Sequence, residues 1–431
     1  MTMNSEKQQS STLPMIIVAG LFFILGFATW LNGSLMPYLK QILQLTPFEA
    51  SLIVGSFYIA VTFTALPSAG IIRRVGYKNG MALGMATMMI AGLLFIPAAE
   101  TQLFPLFLFA QLVMGTGITL LQTAVNPYVV RLGPEESAAA RISIMGILNK
   151  SAGVIAPMVF TALILSGFKS HSGEVLTPEQ INNMADSLIM PYLGMALFLG
   201  LLALAVKKSP LPELPSEADD DNSTAKGHIK EALAHPNLAF GVLALFFYVA
   251  VEVIAGDTIG TFALSLGVEN YAVMTSYTMI CMVVGYILGI VLIPKTISQH
   301  AALTVSAILG LVLTVAVVIS DSNSFTIANS LLVPFGGAQL PDTLLLIAFL
   351  GLANAIVWPA VFPLALSGMG KLTSTGSALL IMGISGGAFG PMIWGLTSGG
   401  LGQQSAYIVM LPCYLFILFY AIKGHKMRSW H

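Results

Sequence analysis

Apolar residues along this chain gather in long runs instead of alternating with polar ones, and a helix crossing roughly 30 Å of hydrocarbon needs about 20 of them. Six runs, 15–36, 48–72, 79–98, 103–130, 142–166 and 187–206, fill the first half. Six more, 238–264, 271–293, 301–320, 342–367, 374–398 and 404–422, fill the second, and these twelve are numbered helices 1 to 12. The first run continues through Trp30 and Asn32 with no small-residue cleavage site, so it is expected to persist as a helix and not to be removed as a leader. Polar stretches between runs are short except at about 207–236, where Pro210, Pro212 and Pro215 precede Glu217 and the acidic run Asp219 to Asp221. That composition predicts a solvated, partly disordered linker. The expected architecture is an all-α membrane protein with twelve transmembrane helices in two pseudo-symmetric six-helix bundles, 1–206 and 237–431, joined by the linker 207–236.

The two halves echo one another. Helix 4 ends Asn126-Pro127-Tyr128, and helix 10 carries Trp358-Pro359-Ala360. Helix 5 has Ile144-Met145-Gly146-Ile147, then Gly153 and Pro157; helix 11 has Ile381-Met382-Gly383-Ile384, then Gly387 and Pro391. With an even number of helices in each half, both halves point the same way, as in transporters built from parallel repeats. Two such bundles face each other across a central cavity that either can close from one side.

Composition agrees with this picture: 56% of residues are hydrophobic and only 9% charged, against about 25% charged in soluble domains. A net charge of −1 rules out a nucleic-acid partner held by phosphate neutralisation. Cys281 and Cys413 lie inside apolar runs, so no disulfide framework is expected. Fifteen of the eighteen Lys and Arg residues fall in segments on the side of the N-terminus and two on the other side, which places both termini in the cytoplasm. The six histidines sit in loops or at span ends without an HExxH pattern, and Gly368 to Leu372 lacks the residues of a phosphate loop. An enzyme, an ATP-driven pump and a resident cofactor are therefore not expected.

Polar side chains in hydrocarbon persist where they meet protein or a wet cavity. Helix 4 carries Gln111, Gly115, Thr119, Gln122 and Asn126 on one face, helix 10 has Asn354 and Trp358, helix 1 Trp30 and Asn32, and helix 5 Asn149. Carboxamides offer paired donors and acceptors without charge, a chemistry that suits sugar hydroxyls, while tryptophan faces suit the apolar C–H surface of the ring. Trp30, Asn32, Gln122, Asn126, Asn149, Asn354 and Trp358 are the candidate sugar-binding residues. Three ionisable residues lie within spans: Lys150, Glu252 and Asp257. The two acids on helix 7 stand about 140° apart around the axis, so they are expected to do different jobs. Lys150 is a tethered counterion for one of them, either in a static salt bridge or in coupling to Na⁺ or H⁺, with a possible Na⁺ position near Asp257. Gly256 and Gly260 mark a place where helix 7 can bend. On the cytoplasmic side, Arg73, Arg74, Glu135 and Arg141 are candidate gate residues.

Leu31 to Pro37, Leu121 to Pro127, Gly133 to Ser137 with Arg141, and Asn149 together resemble the fucose–galactose–glucose:cation symporters of the major facilitator superfamily, over nearly the whole chain. The likeness is greatest to the bacterial glucose/galactose branch, which includes N-acetylglucosamine permeases. It implies a monomeric carrier in the bacterial inner membrane, bathed in lipid, that imports a neutral monosaccharide by alternating access with a coupled cation. An uncoupled facilitator is the alternative. The fucose/proton members carry Asp where this chain has Gly33 and Glu where it has Gln122, so their proton-linked carboxylates are missing here. The resemblance therefore leaves coupling to helix 7 and favours Na⁺ over H⁺.

Overall fold

A computed structural model describes residues 12–132, 138–164, 176–213, 225–293, 296–369 and 372–430. Each predicted run overlaps a helix long and apolar enough to cross a membrane: Leu13–Ile42, Pro47–Ala65, Tyr77–Thr101, Phe104–Asn126, Ile144–Ile164 and Pro178–Lys208, then Pro236–Ser265, Tyr271–Leu292, Gln299–Ile319, Asp342–Leu366, Leu379–Leu401 and Ser405–Lys426. Helix 2 starts at a capping box. The Thr46 hydroxyl accepts the Glu49 amide, Glu49 accepts the Thr46 amide at 2.8 Å, and Pro47 holds the first turn. Thr177 and Gln180 repeat the device on Pro178–Asp186 ahead of helix 6. Part of the expected linker is ordered instead, since Ala225–Leu233 is helical; its acidic run lies outside the described residues.

Two helices are interrupted at matching places. Helix 1 changes direction at Leu31, between Thr12–Trp30 and Asn32–Ile42, and helix 7 at Thr258, between Pro236–Asp257 and Ile259–Ser265. These are the first helices of the two six-helix bundles. Backbone bonds bridge both sites (Leu35 to Leu31, Phe262 to Thr258), so each is a bend and not a gap. Helix 10 bends likewise at Ile356, and helix 11 passes through a 3₁₀ turn at Gly383–Ser385.

Lipid tails give helices no hydrophobic reason to associate, so close contact relies on small residues. A Cβ on Gly84 of helix 3 would come within 2.6 Å of the Leu121 amide on helix 4. Leu163, Leu201, Val305, Val312 and Ile319 point outward, exposed, as a lipid-facing surface requires.

Twelve crossings bring the chain back to the side where it began, defining a terminal end and a far end. At the terminal end, the segment after helix 6 runs beneath the first bundle: Lys78 donates to the Ser209 carbonyl at 2.7 Å and Tyr128 to the Pro212 carbonyl at 2.8 Å. The tail after helix 12 does the same beneath the second bundle, where the Asn237 amide donates to Met427 and Arg428 to the Ser367 carbonyl. At the far end the bundles meet directly. Ser34 donates to the Ala272 carbonyl, and Gly395 lies against Phe48 and Ser51. The seam is shut on this side.

Candidate functional site

Helices 5 and 7 bring Lys150 and Glu252 together at the seam, with Nζ 2.6 Å from Oε1. Both are buried, and the same oxygen accepts the hydroxyl of Tyr248 one turn earlier at 2.8 Å. The ammonium also sits 4.3 Å from the centre of the Trp30 ring, a cation–π contact. Trp30 is wedged between the bundles: a Cβ on Gly153 would lie 2.8 Å from its Cδ1, and one on Gly256 2.7 Å from its Cζ3. Its indole N–H reaches towards Asn149 Oδ1 at 3.5 Å. The charges of Lys150 and Glu252 cancel within this cluster, so it presents no net charge to a ligand.

Asp257 is different. It is fully buried, and neither carboxylate oxygen has a hydrogen-bond partner among the described residues. Gly33 of the other bundle lies so close that a Cβ there would be 3.0 Å from Asp257 Oδ1 and 2.1 Å from Thr275 Oγ1. Of the two possible counterion arrangements, Lys150 takes Glu252. The glycines beside Asp257 let neighbours approach, Trp30 at Gly256 and the Gly33 carbonyl at Gly260, while the bend falls on Thr258 between them.

On helix 4 the polar face divides along its length. Towards the far end it is covered: Gln111 donates to Asn32 Oδ1 at 2.8 Å, Gly115 lies against the Phe57 carbonyl of helix 2, and Thr119 bonds back to Gly115. Towards the terminal end, Gln122 and Asn126 continue the same face, are partly exposed, and make no side-chain hydrogen bond among the described residues. Helix 3 packs on another face of helix 4, with Gly84 against the Leu121 amide and the Gly117 carbonyl.

Helix 10 divides too. Asn354 accepts the Tyr414 hydroxyl of helix 12 at 2.7 Å and is fully buried. Trp358, one turn on, is partly exposed, with its ring 6.3 Å from Tyr248 and 5.7 Å from Phe362. The structure thus sets Trp30 and Asn149 beside Lys150 and Trp358 against Tyr248, the partner of Glu252, leaves Gln122 and Asn126 partly exposed on helix 4, and holds Asn32 and Asn354 in interhelical bonds. Sequence reasoning passed over Tyr248, although its position four residues before Glu252 signals a shared helix face. It also passed over Thr261 and Thr275, which beside Asp257 read as ordinary span residues.

Among the candidate gate residues, Arg141 is buried and its Nε donates to the Val129 carbonyl at 3.0 Å, a cation at a helix C-terminus. Arg74 is exposed, whereas Glu135 and the Arg73 side chain lie outside the described residues. No group of three His, Cys, Asp or Glu residues suited to a metal occurs among the described residues. A recess of about 420 Å³ at the far rim, between Pro47, Phe262, Ser398 and Gln404, lies apart from these charges.

The family model of the Major Facilitator Superfamily matches residues 18–391. A glucose/galactose transporter of Brucella abortus biovar 1 (strain 9-941) is 31% identical, covering 98% of this chain and 96% of its own. The chain belongs to the Major Facilitator Superfamily, in its fucose–galactose–glucose:cation symporter family. The L-fucose-proton symporter of Escherichia coli (strain K12) is 28% identical over 97% of this chain and 94% of its own. Among solved structures, the superfamily transporter FucP in the outward conformation superposes with a TM-score of 0.71 at 25% identity, covering 96% of this chain and 99% of that one. As a member of this family the protein is a transporter, not an enzyme.

Proposed function

We propose that the protein imports a neutral hexose (glucose, galactose or N-acetylglucosamine) across the bacterial inner membrane by alternating access, in symport with a cation, Na⁺ in preference to H⁺. The observation that carries the sugar reading is the pair of free amides on Gln122 and Asn126, set on a polar face of helix 4, in a protein whose buried Lys150 and Glu252 charges cancel. Uncharged donors and acceptors match hydroxyls, and nothing in the set rewards an anion. Trp358 supplies an aromatic surface for the sugar's C–H face; Trp30 and Asn149 shape the floor beneath the ion pair. Asn32 and Asn354 already bond neighbouring helices and so act by position. The carriers named for related sequences transport glucose, galactose or fucose.

With both termini in the cytoplasm, the shut far end faces the outside and the present state is inward-facing. The FucP neighbour carries the opposite, outward label. Uncoupled facilitation is the second reading, favoured by Lys150, because a tethered counterion already neutralises Glu252.

Counterflow of labelled glucose, galactose and N-acetylglucosamine in proteoliposomes tests the substrate. At least one is expected to exchange, with Gln122→Ala and Asn126→Ala each weakening its apparent affinity at least tenfold, the loss of about 1.4 kcal/mol of hydrogen bonding. No exchange of any of the three overturns the reading.

A further inference from the structure

Helix 7 holds a carboxylate that the sugar site does not use. Asp257 is fully buried with both oxygens unpartnered among the described residues, and one turn further on, the hydroxyl of Thr261 is also buried and unpartnered among them. The Thr275 hydroxyl donates to the Gly256 carbonyl at 2.7 Å, which leaves its lone pairs free, and it lies with Asp257 Oδ1 around the position of a Gly33 Cβ. These are hard oxygen atoms with no N–H donor among them, beside the bend of helix 7 at Thr258, and hard oxygen donors suit small hard cations.

We propose that Asp257, Thr261 and Thr275 form a sodium site, and that the far-side seam closes only over the loaded site. This rests on the symport reading and gives it a location. The lid of the site is the other bundle: Gly33 packs over Asp257 and Thr275, its carbonyl lies near Gly260, and the adjacent Ser34 bonds the Ala272 carbonyl. When the seam opens, water reaches the carboxylate. When it closes on an empty site, a bare anion is left in dry protein, because Lys150 is already committed to Glu252. A single positive charge at Asp257 removes that penalty, so the ion licenses closure. Gly33 is required as the lid because any side chain there would fill the site.

The test is the thermal midpoint of the purified full-length protein in NaCl against choline chloride, at fixed ionic strength and pH, with choline samples repeated across pH 6 to 8. The expected result is stabilisation by Na⁺ of the wild type and of the control Asp321→Asn, an exposed acid at the far rim. Asp257→Asn should lose the response, and Thr261→Val and Thr275→Ala should need about tenfold more Na⁺. Should Asp257→Asn fail to fold, the two threonine variants decide. An unchanged Na⁺ response in these variants overturns the site, and a response to pH with none to Na⁺ overturns sodium as its ligand. Hexose counterflow on the same preparations separates the two readings. Exchange without the Na⁺ response removes the site alone, whereas a Na⁺ response without exchange removes the substrate reading and leaves the site standing.

Discussion

Lys150 and Glu252 show why a charged pair persists in the middle of a membrane protein. Each alone would be a buried ion with an unmet desolvation cost; together, with Tyr248 donating and Trp30 beneath, they form a neutral unit that links the bundles. Removing one partner is far costlier than removing both. Lys150→Met should therefore destabilise the protein by on the order of 3 kcal/mol, and adding Glu252→Gln should recover much of the loss. A double-mutant cycle on thermal or denaturant unfolding in detergent measures this; additive losses would mean that the pair does not act as a unit. Which acid Lys150 chooses was not legible in the sequence. Glu252 and Asp257 are both on helix 7, and only the crossing of helix 5, where Gly26 approaches the Asn149 backbone, sets the direction of the lysine.

At the scale of the element, hydrophobic run length was enough to read all twelve spans, because lipid demands continuous apolar helices and tolerates little else. The bends were less legible. Gly256 and Gly260 pointed to the right part of helix 7, but their missing side chains serve close packing, and helix 1 bends at Leu31, ahead of Gly33 and the in-helix Pro37, which has no N–H for the Gly33 carbonyl. The polar stripe of helix 4 reads as one face from its spacing, yet which part of it is free depends on how far helices 1 and 2 reach along it. The lid position carries a prediction. Gly33→Ala places a Cβ 2.1 Å from Thr275 Oγ1, which prevents the far-side seam from closing without rearrangement of helix 8. The variant should retain sugar binding from the far side and lose counterflow by at least tenfold, the effect of about 1.4 kcal/mol against the closed state. Binding by fluorescence or calorimetry alongside counterflow checks it; full counterflow would show that the contact is not part of the cycle.

For the molecule as a whole, two bundles share one design. Each begins with a bent helix, and each is underpinned at the terminal end by the segment that follows its sixth helix. The asymmetry lies in the chemistry. Free amides stand on helix 4 of the first bundle, whereas the second contributes both acids through helix 7, and the lysine that answers one of them comes from the first. The proposed sugar and cation sites therefore draw on both bundles, whose relative movement can sense both. The most direct measurement is uptake of labelled glucose and galactose into proteoliposomes under an inward Na⁺ gradient. At least one hexose is expected to accumulate above its external concentration, an accumulation abolished by collapsing the gradient and by Asp257→Asn. Equilibration without accumulation, under Na⁺ and pH gradients alike, would contradict this and identify an uncoupled carrier.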